Sequence, residues 1–277
     1  GGGDDIVDGG RGIDDINAQG GNDTILVRND WAEFDTLIGG AGFDSVRNTD
    51  SNRDVRFNQF LSKDTDWDLE RLDTAGRNVR GNANANTFDF RDVQLFGLDA
   101  DNRGIFAGDG NDTLWASTHT HDVAYHGEDG EDTLTGGRKR DRLYGGNHSD
   151  VINAGGGNDI IDGGRGIDDI DAQGGNDTIL VRDDWAEFDT LIGGAGFDTV
   201  QNTDPNRDLR FNSFLSKESS EDYGDAEGWD LEKLDTAGRN VRGNGDVNIL
   251  DFRDVQLVGL DADNRGIFAG AGDDPIW

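Results

Sequence analysis

From Gly127 to Leu180 the sequence divides into nines with no residue left over: GEDGEDTLT, GGRKRDRLY, GGNHSDVIN, AGGGNDIID, GGRGIDDID and AQGGNDTIL. Position six is Asp in every block, and position eight is Leu134, Leu143, Ile152, Ile161, Ile170 or Ile179. Glycine crowds positions one to four. A fixed short period of this kind marks a repeat architecture, in which each unit is supported by its neighbours. Fifteen such blocks occur along the chain, and all fifteen carry Asp at six and Val, Ile or Leu at eight. Their aspartates are Asp5, Asp14, Asp23, Asp35, Asp44, Asp112, Asp132, Asp141, Asp150, Asp159, Asp168, Asp177, Asp189, Asp198 and Asp274.

A longer repeat contains the short one. Residues 1–50 match residues 155–204 at 44 of 50 positions, a shift of 154. After FNQFLSK and FNSFLSK the second copy inserts eight residues, and from Trp67 and Trp229 onward the shift is 162. The chain therefore reads as one long unit, a bridge at Ala116–Ala154 and a second long unit. The blocks pass from the bridge into the second copy in register, which predicts one continuous stack there. The expected segments are 1–47 (repeat), 48–106 (repeat-poor), 107–201 (repeat), 202–268 (repeat-poor) and 269–277 (the start of a further block). VRFNQF, TFDFRDVQL and GIFAG in the first repeat-poor segment alternate like strands. WDLERLDTAG reads as a short helix or another strand. These segments are either further rungs without the Gly-Asp loop or small subdomains that close each stack.

Composition removes several classes of function. Acidic residues outnumber basic ones 58 to 25, for a formal charge of −33, so nucleic acid is not an electrostatic partner and cations are. Low hydrophobicity at this charge would leave a chain disordered unless something neutralises the acids. Cysteine is absent, which excludes disulfides and thiolate sites. No apolar run approaches a membrane span, and no signal-peptide pattern opens the chain. With no methionine and a first residue that falls inside a block, the chain is expected to be a piece of a longer protein.

Glycine early in each block permits the positive-φ backbone of a tight turn. With few side chains in the way, loop carbonyls can point at one centre, to which the Asp adds a charged oxygen. Calcium takes six to eight such oxygens, more than one loop can supply but within reach of two. The blocks resemble the G-G-x-G-x-D-x-U-x nonapeptide of the RTX family, the haemolysin-type calcium-binding repeats.

That resemblance implies an all-β fold, a right-handed parallel β-roll or β-helix solenoid with Ca2+ bound in stacked loops. Six residues form the turn, three the strand, and two blocks one coil. Calcium lies between loops i and i+2, pairing Asp132 with Asp150, Asp141 with Asp159, Asp150 with Asp168 and Asp159 with Asp177. Position eight points inward. The implied carbonyl ligands come from Gly9, Gly10, Gly12, Gly39, Gly40, Gly42, Gly155, Gly157, Gly163, Gly164, Gly166, Gly175, Gly193, Gly194 and Gly196. Roughly a dozen Ca2+ would bring about +24, cancelling most of the acid excess; a solvated or salt-adapted surface is the other reading of that excess. One aliphatic side chain per nine residues cannot offset the entropy of ordering the backbone, so calcium is expected to drive folding.

The pattern breaks at position four in Glu33, Glu187, Lys139 and His148. Lys139, in the run RKRDR, brings positive charge towards a cation site, so incomplete occupancy is expected there. His119, His121, His126 and His148 all lie in the bridge; the spacing admits a zinc or copper site, or exposed loop histidines. Trp31, Trp67, Trp115, Trp185, Trp229 and Trp277 either cover the edges of a thin core or present aromatic platforms.

Three functions compete. The first is a calcium-stabilised structural region of a secreted or cell-surface protein, of adhesin, S-layer or fibre type, whose partners are neighbouring copies or a cell-surface polysaccharide. The second is the secretion and folding module of a larger extracellular enzyme or toxin, since the family's repeats lie downstream of such domains. No HExxH, GxSxG or Walker motif occurs in the chain, so no catalysis is expected from it. The third is an ice- or polysaccharide-binding face, although positions three and five vary too much for a flat ladder.

Overall fold

Three residues of each block, typically Thr-Ile/Leu-x, are long enough to make a strand but too short to make a sheet without partners. In the computed structural model these short strands stack in parallel. The structure describes residues 1–28, 36–57, 60–61, 68–98, 103–118, 123–182, 189–210, 214–215, 231–243, 249–250, 252, 255–260, 266–268 and 276. Among these there is no helix, and so none long and apolar enough to cross a membrane. The chain is an all-strand, parallel β-solenoid, in two compact units, Gly1–Tyr144 and Gly145–Trp277.

In the first unit, strands Ile6–Asp8, Thr24–Val27, Ser45–Asn48, Arg71–Asp73 and Gln94–Phe96 form one parallel sheet. The register places Val7, Ile25, Val46, Leu72 and Leu95 in a single row. Ile25, Val46, Leu72 and Leu95 are buried, while their neighbours at positions seven and nine are not. This is the inward ladder that position eight requires. Ile25 is fully buried between Val7 and Val46. Ile25→Ala should therefore destabilise the calcium-loaded fold by about 2–5 kcal/mol, read as a lower thermal midpoint; an unchanged midpoint would show that position eight is not the core.

The repeat-poor segment continues the stack but changes its cross-section. Up to Ser45–Asn48 each strand pairs with the next but one, as Asp15–Gly20 does with Thr36–Ala41, giving two strands per coil. From there each pairs with the next but two. Ser45–Asn48 pairs with Arg71–Asp73, Val55–Arg56 with Val79–Arg80, and Phe60–Leu61 with Thr87–Asp89. The coil has gained a third side. At its corner Asn48 stands where the next block would begin. It is buried, and its side-chain amide donates to the carbonyls of Arg53 and Thr74, both at 3.1 Å. An inward amide that must be satisfied turns the backbone where glycine would have let it loop. Two-strand coils return where Gly104–Asp109 pairs with Ala124–Asp129 and Thr113–Trp115 with Thr133–Thr135.

The second unit repeats the plan. Ile161, Ile179, Val200, Leu234 and Leu257 form one row across Ile160–Arg165, Thr178–Val181, Thr199–Asn202, Lys233–Asp235 and Gln256–Val258. A second row runs through Ile152, Ile170 and Leu191. Three-sided coils again begin after an inward Asn: Asn202 donates to Arg207 and Thr236. The stretch WDLERLDTAG, open between helix and strand in the sequence, contains strand Arg71–Asp73, and its counterpart contains Lys233–Asp235.

Candidate metal centre

Each glycine-rich loop alternates its backbone. Positions two and four take positive φ in block after block: Gly10 and Gly12, Gly40 and Gly42, Gly164 and Gly166, Gly194 and Gly196. At several of these blocks position four also lacks room for a side chain. A Cβ at Gly42 would lie 1.8 Å from the Gly21 carbonyl oxygen, and one at Gly196 1.4 Å from that of Gly175. Carbonyl oxygens of one coil thus nest against the bare α-carbons of the next. Position one is glycine for another reason. A Cβ at Gly145 would fall 2.3 Å from Asp150 Oδ2 and 2.5 Å from the Gly163 carbonyl, so a carboxylate oxygen and a carbonyl oxygen from successive coils share that space.

Strand register sets the aspartates one above another. The Asp5 amide donates to Asp23 Oδ1 at 2.7 Å, and the Asp23 amide to Asp44 Oδ1 at 2.8 Å. On the other edge Asp112 donates to Asp132 Oδ1 at 2.7 Å. In the second unit Asp150 donates to Asp168, Asp168 to Asp189, Asp159 to Asp177 and Asp177 to Asp198, at 2.7–3.0 Å. One oxygen of each acceptor is thus held by the coil below. The other oxygen of Asp23, Asp44, Asp112 and Asp177 is buried with no hydrogen-bond donor. Ten of these aspartates are buried (23, 44, 112, 132, 141, 150, 159, 168, 177 and 198), and no Lys or Arg is buried among the described residues.

A buried carboxylate must be paired, protonated or bound to a cation. Burial pushes the Asp112 carboxyl up to about 7 and the Asp177 carboxyl up to about 6, against the amide hydrogen bonds that pull both down; Asp44 rises for the same reason. Among the described residues no three His, Cys, Asp or Glu side chains gather in one place. A cation here would take at most two carboxylates and fill its shell with backbone carbonyls. This all-oxygen set suits calcium and lacks the nitrogen and sulfur that zinc prefers.

The raised carboxyls predict a pH dependence with a definite sign. The unfolded chain releases these protons near pH 4, the metal-free fold only near pH 6–7. Stability of the metal-free fold from these groups is complete below about pH 4 and is lost as pH rises through 6–7. Calcium must displace those protons, so its affinity should climb between pH 5 and pH 7 with measurable proton release. Calorimetry in buffers of different ionisation enthalpy reads both, and an affinity flat across that range would contradict the burial of these carboxyls.

The sequence-derived residues fall into three groups. The Asp150–Asp168 and Asp159–Asp177 pairs are brought together, as the resemblance implied. Asp14 and Asp189 are half-buried, and Asp5, on the first coil, is exposed. Asp35, Asp274, Glu33, Glu187, His119, His121 and every tryptophan but Trp115 lie outside the described residues. The loop with Lys139 differs from the rest: neither Gly137 nor Lys139 has positive φ, and the Gly137 amide caps Asp141 Oδ2 at 2.8 Å within its own loop. His148 keeps the position-four conformation, with φ 78°, despite its side chain. His126 is sandwiched between Phe106 and Tyr144, with ring centroids 4.3 and 4.6 Å away. The Arg91 guanidinium lies 5.0 Å over the Trp115 ring and covers one of its faces.

Two features escaped sequence reasoning. At position five, Asp4, Asn22, Asn111, Asn158 and Asn176 each accept a hydrogen bond from the amide one coil on; the runs from Asp4 and Asn158 end at Phe43 and Phe197, and Asn111 accepts from Glu131. In the repeat-poor segment Asn86 and Glu70 occupy rungs of the aspartate ladders. The Asn86 amide donates to Asp112 Oδ1 at 2.6 Å, and the Asp44 amide to Glu70 Oε2 at 2.7 Å. The signal was present: NTFD and ERLD each place a carboxyl or amide side chain before x-apolar-x, as DTLW does.

The family model of the RTX calcium-binding nonapeptide repeat (four copies) matches residues 1–28, 32–47, 105–118, 126–161, 153–182 and 186–201. No curated protein shows significant similarity to the chain.

Proposed function

This chain carries RTX calcium-binding nonapeptide repeats, and on that premise we propose that it is a structural region of a secreted or cell-surface protein, ordered by extracellular calcium and doing no catalysis of its own. One observation carries the reading: both long units use the same rungs and the same contacts. Asp54 accepts from Asn78 and Arg80 in the first, and Asp208 from Asn240 and Arg242 in the second. Arg80 lies 4.5 Å over Phe106, and Arg242 4.7 Å over Phe268. Tandem copies that preserve rung-to-rung packing, rather than one cleft, suit a module repeated for length. Adhesins, surface layers and extracellular fibres have that need. In this reading roughly a dozen ions bind, given six to eight oxygens each.

Calcium-dependent folding separates this reading from an intracellular one. Extracellular calcium modules bind at about 10⁻⁴–10⁻³ M. A folding midpoint in that range, followed by circular dichroism during calcium titration, is the expected result. A midpoint below about 10⁻⁶ M would let the chain fold at cytosolic calcium and would overturn the proposal.

A further inference from the structure

The aspartate ladder runs on beyond the nonapeptides. We propose that Glu70 and Glu232, outside every nonapeptide and every segment matched by the family model, are calcium ligands that close one additional cation site in each long unit. The proposal rests on calcium binding by the repeats and extends it to residues the motif does not contain.

Register is the first support. Ser45 pairs with Thr24 and with Arg71, which puts Glu70 on the rung after Asp23 and Asp44. Thr199 pairs with Thr178 and with Lys233, which puts Glu232 on the rung after Asp177 and Asp198. Glu70 Oε2 holds the Asp44 amide at 2.7 Å, as Asp44 Oδ1 holds that of Asp23 at 2.8 Å. Glu232 Oε2 holds the Asp198 amide at the same 2.7 Å. The glutamates therefore stand where a position-six Asp would stand, one methylene longer.

The oxygens around Asp44 are the second support. Asp44 is fully buried, and its Oδ2 has no hydrogen-bond donor. A Cβ at Gly39 would fall 2.5 Å from the Asp68 carbonyl oxygen and 2.9 Å from the Asp44 carboxyl carbon. At Gly145 the same space is shared by the Gly163 carbonyl and Asp150. Asp68 thus presents a backbone oxygen, from a non-glycine residue at φ 44°, where a repeat loop would present one. Carboxylate, carbonyl and a second carboxylate one rung on recreate the oxygen set of a repeat site without its sequence. Asn86 makes the contrast. It occupies the rung beside Asp112, to whose Oδ1 its own backbone amide donates, but its side chain carries no charge to neutralise a cation.

The test separates a ligand from an amide cap. Gln at 70 and 232 keeps the acceptor oxygen and removes the charge. Calcium bound per chain is measured by equilibrium dialysis on the full chain, with circular dichroism at saturating calcium as the check on folding. The expected result is that Glu70→Gln and Glu232→Gln each lose one ion, and the double variant two, with the dichroism unchanged. An unchanged stoichiometry would overturn the proposal and leave both residues as amide caps. Loss of all binding would overturn it too, making the glutamates determinants of folding rather than ligands of one terminal ion each. A wild-type chain that binds no calcium would instead remove the premise, an outcome distinct from either.

Discussion

In excess chelator the chain loses most of its β-sheet circular dichroism, and added calcium restores it. The expectation follows from two imbalances. A typical nonapeptide buries one large aliphatic side chain, such as Ile25, Ile179 or Leu191, and must order nine backbone residues to do so. Ten of the position-six Asp are buried as well, and no Lys or Arg is buried to compensate among the described residues. Without a cation, stacking the loops places carboxylates above one another, and hydrogen bonds from single amides cannot offset their desolvation. With a cation, the same stacking builds the site, so the binding free energy becomes folding free energy. The segment 68–98 is the place for residual structure. Its ladders are closed by Arg–carboxylate and Asn contacts, including Arg80 with Asp54 and Arg91 with Asp89. A chain that kept its full dichroism in chelator would show that packing alone supports the coil.

Gly175→Val abolishes the coil that contains it, whereas Gly174→Ala, one residue earlier, is tolerated. Gly175 has φ 148°, and a Cβ there would lie 1.4 Å from the Gly157 carbonyl oxygen. That carbonyl belongs to the preceding coil, so relief requires the two coils to part, and with them the Asp159–Asp177 contact at 2.7 Å. A clash with backbone combined with a forbidden φ belongs to the most destabilising substitutions, above about 4 kcal/mol. Gly174 has no positive φ, and the nearest atom to an added Cβ is the Gly155 carbonyl oxygen at 3.9 Å, ordinary contact. Hydrogen exchange in saturating calcium should show the Asp159 and Thr178 amides exposed in the valine variant and protected in the alanine one. Equal protection in both would mean that the loops stack more loosely than their carbonyl ladder requires.

Much of this was legible in the residues because a nine-residue period has few structural solutions. Asp at six and an aliphatic residue at eight marked the two ladders, and glycine at position four marked the positive-φ backbone of the loop. The anomaly at Lys139 was legible as well, since a charged residue replaced glycine there; the structure adds that Asp141 is capped within its own loop. Less legible was the role of WDLERLDTAG. Its period is too short to separate helix from strand, and Glu70 is recognised as a rung only once Arg71 is seen beside Ser45.

What the sequence determined by itself is therefore local and periodic: the loop chemistry, the inward row and the all-oxygen character of the sites, each set by residues within one block. The tertiary structure decided everything that depends on which coil lies against which. It set the change from two strands per coil to three after Asn48 and Asn202, the asparagine ladder at position five, and the places of Glu70, Asn86 and Glu232. Those choices rest on register between strands 18 to 35 residues apart, Ile160 with Thr178 at one extreme and Phe214 with Ile249 at the other. Coil length is not written in any single block; it emerges when inward side chains and buried amides have to be satisfied at once.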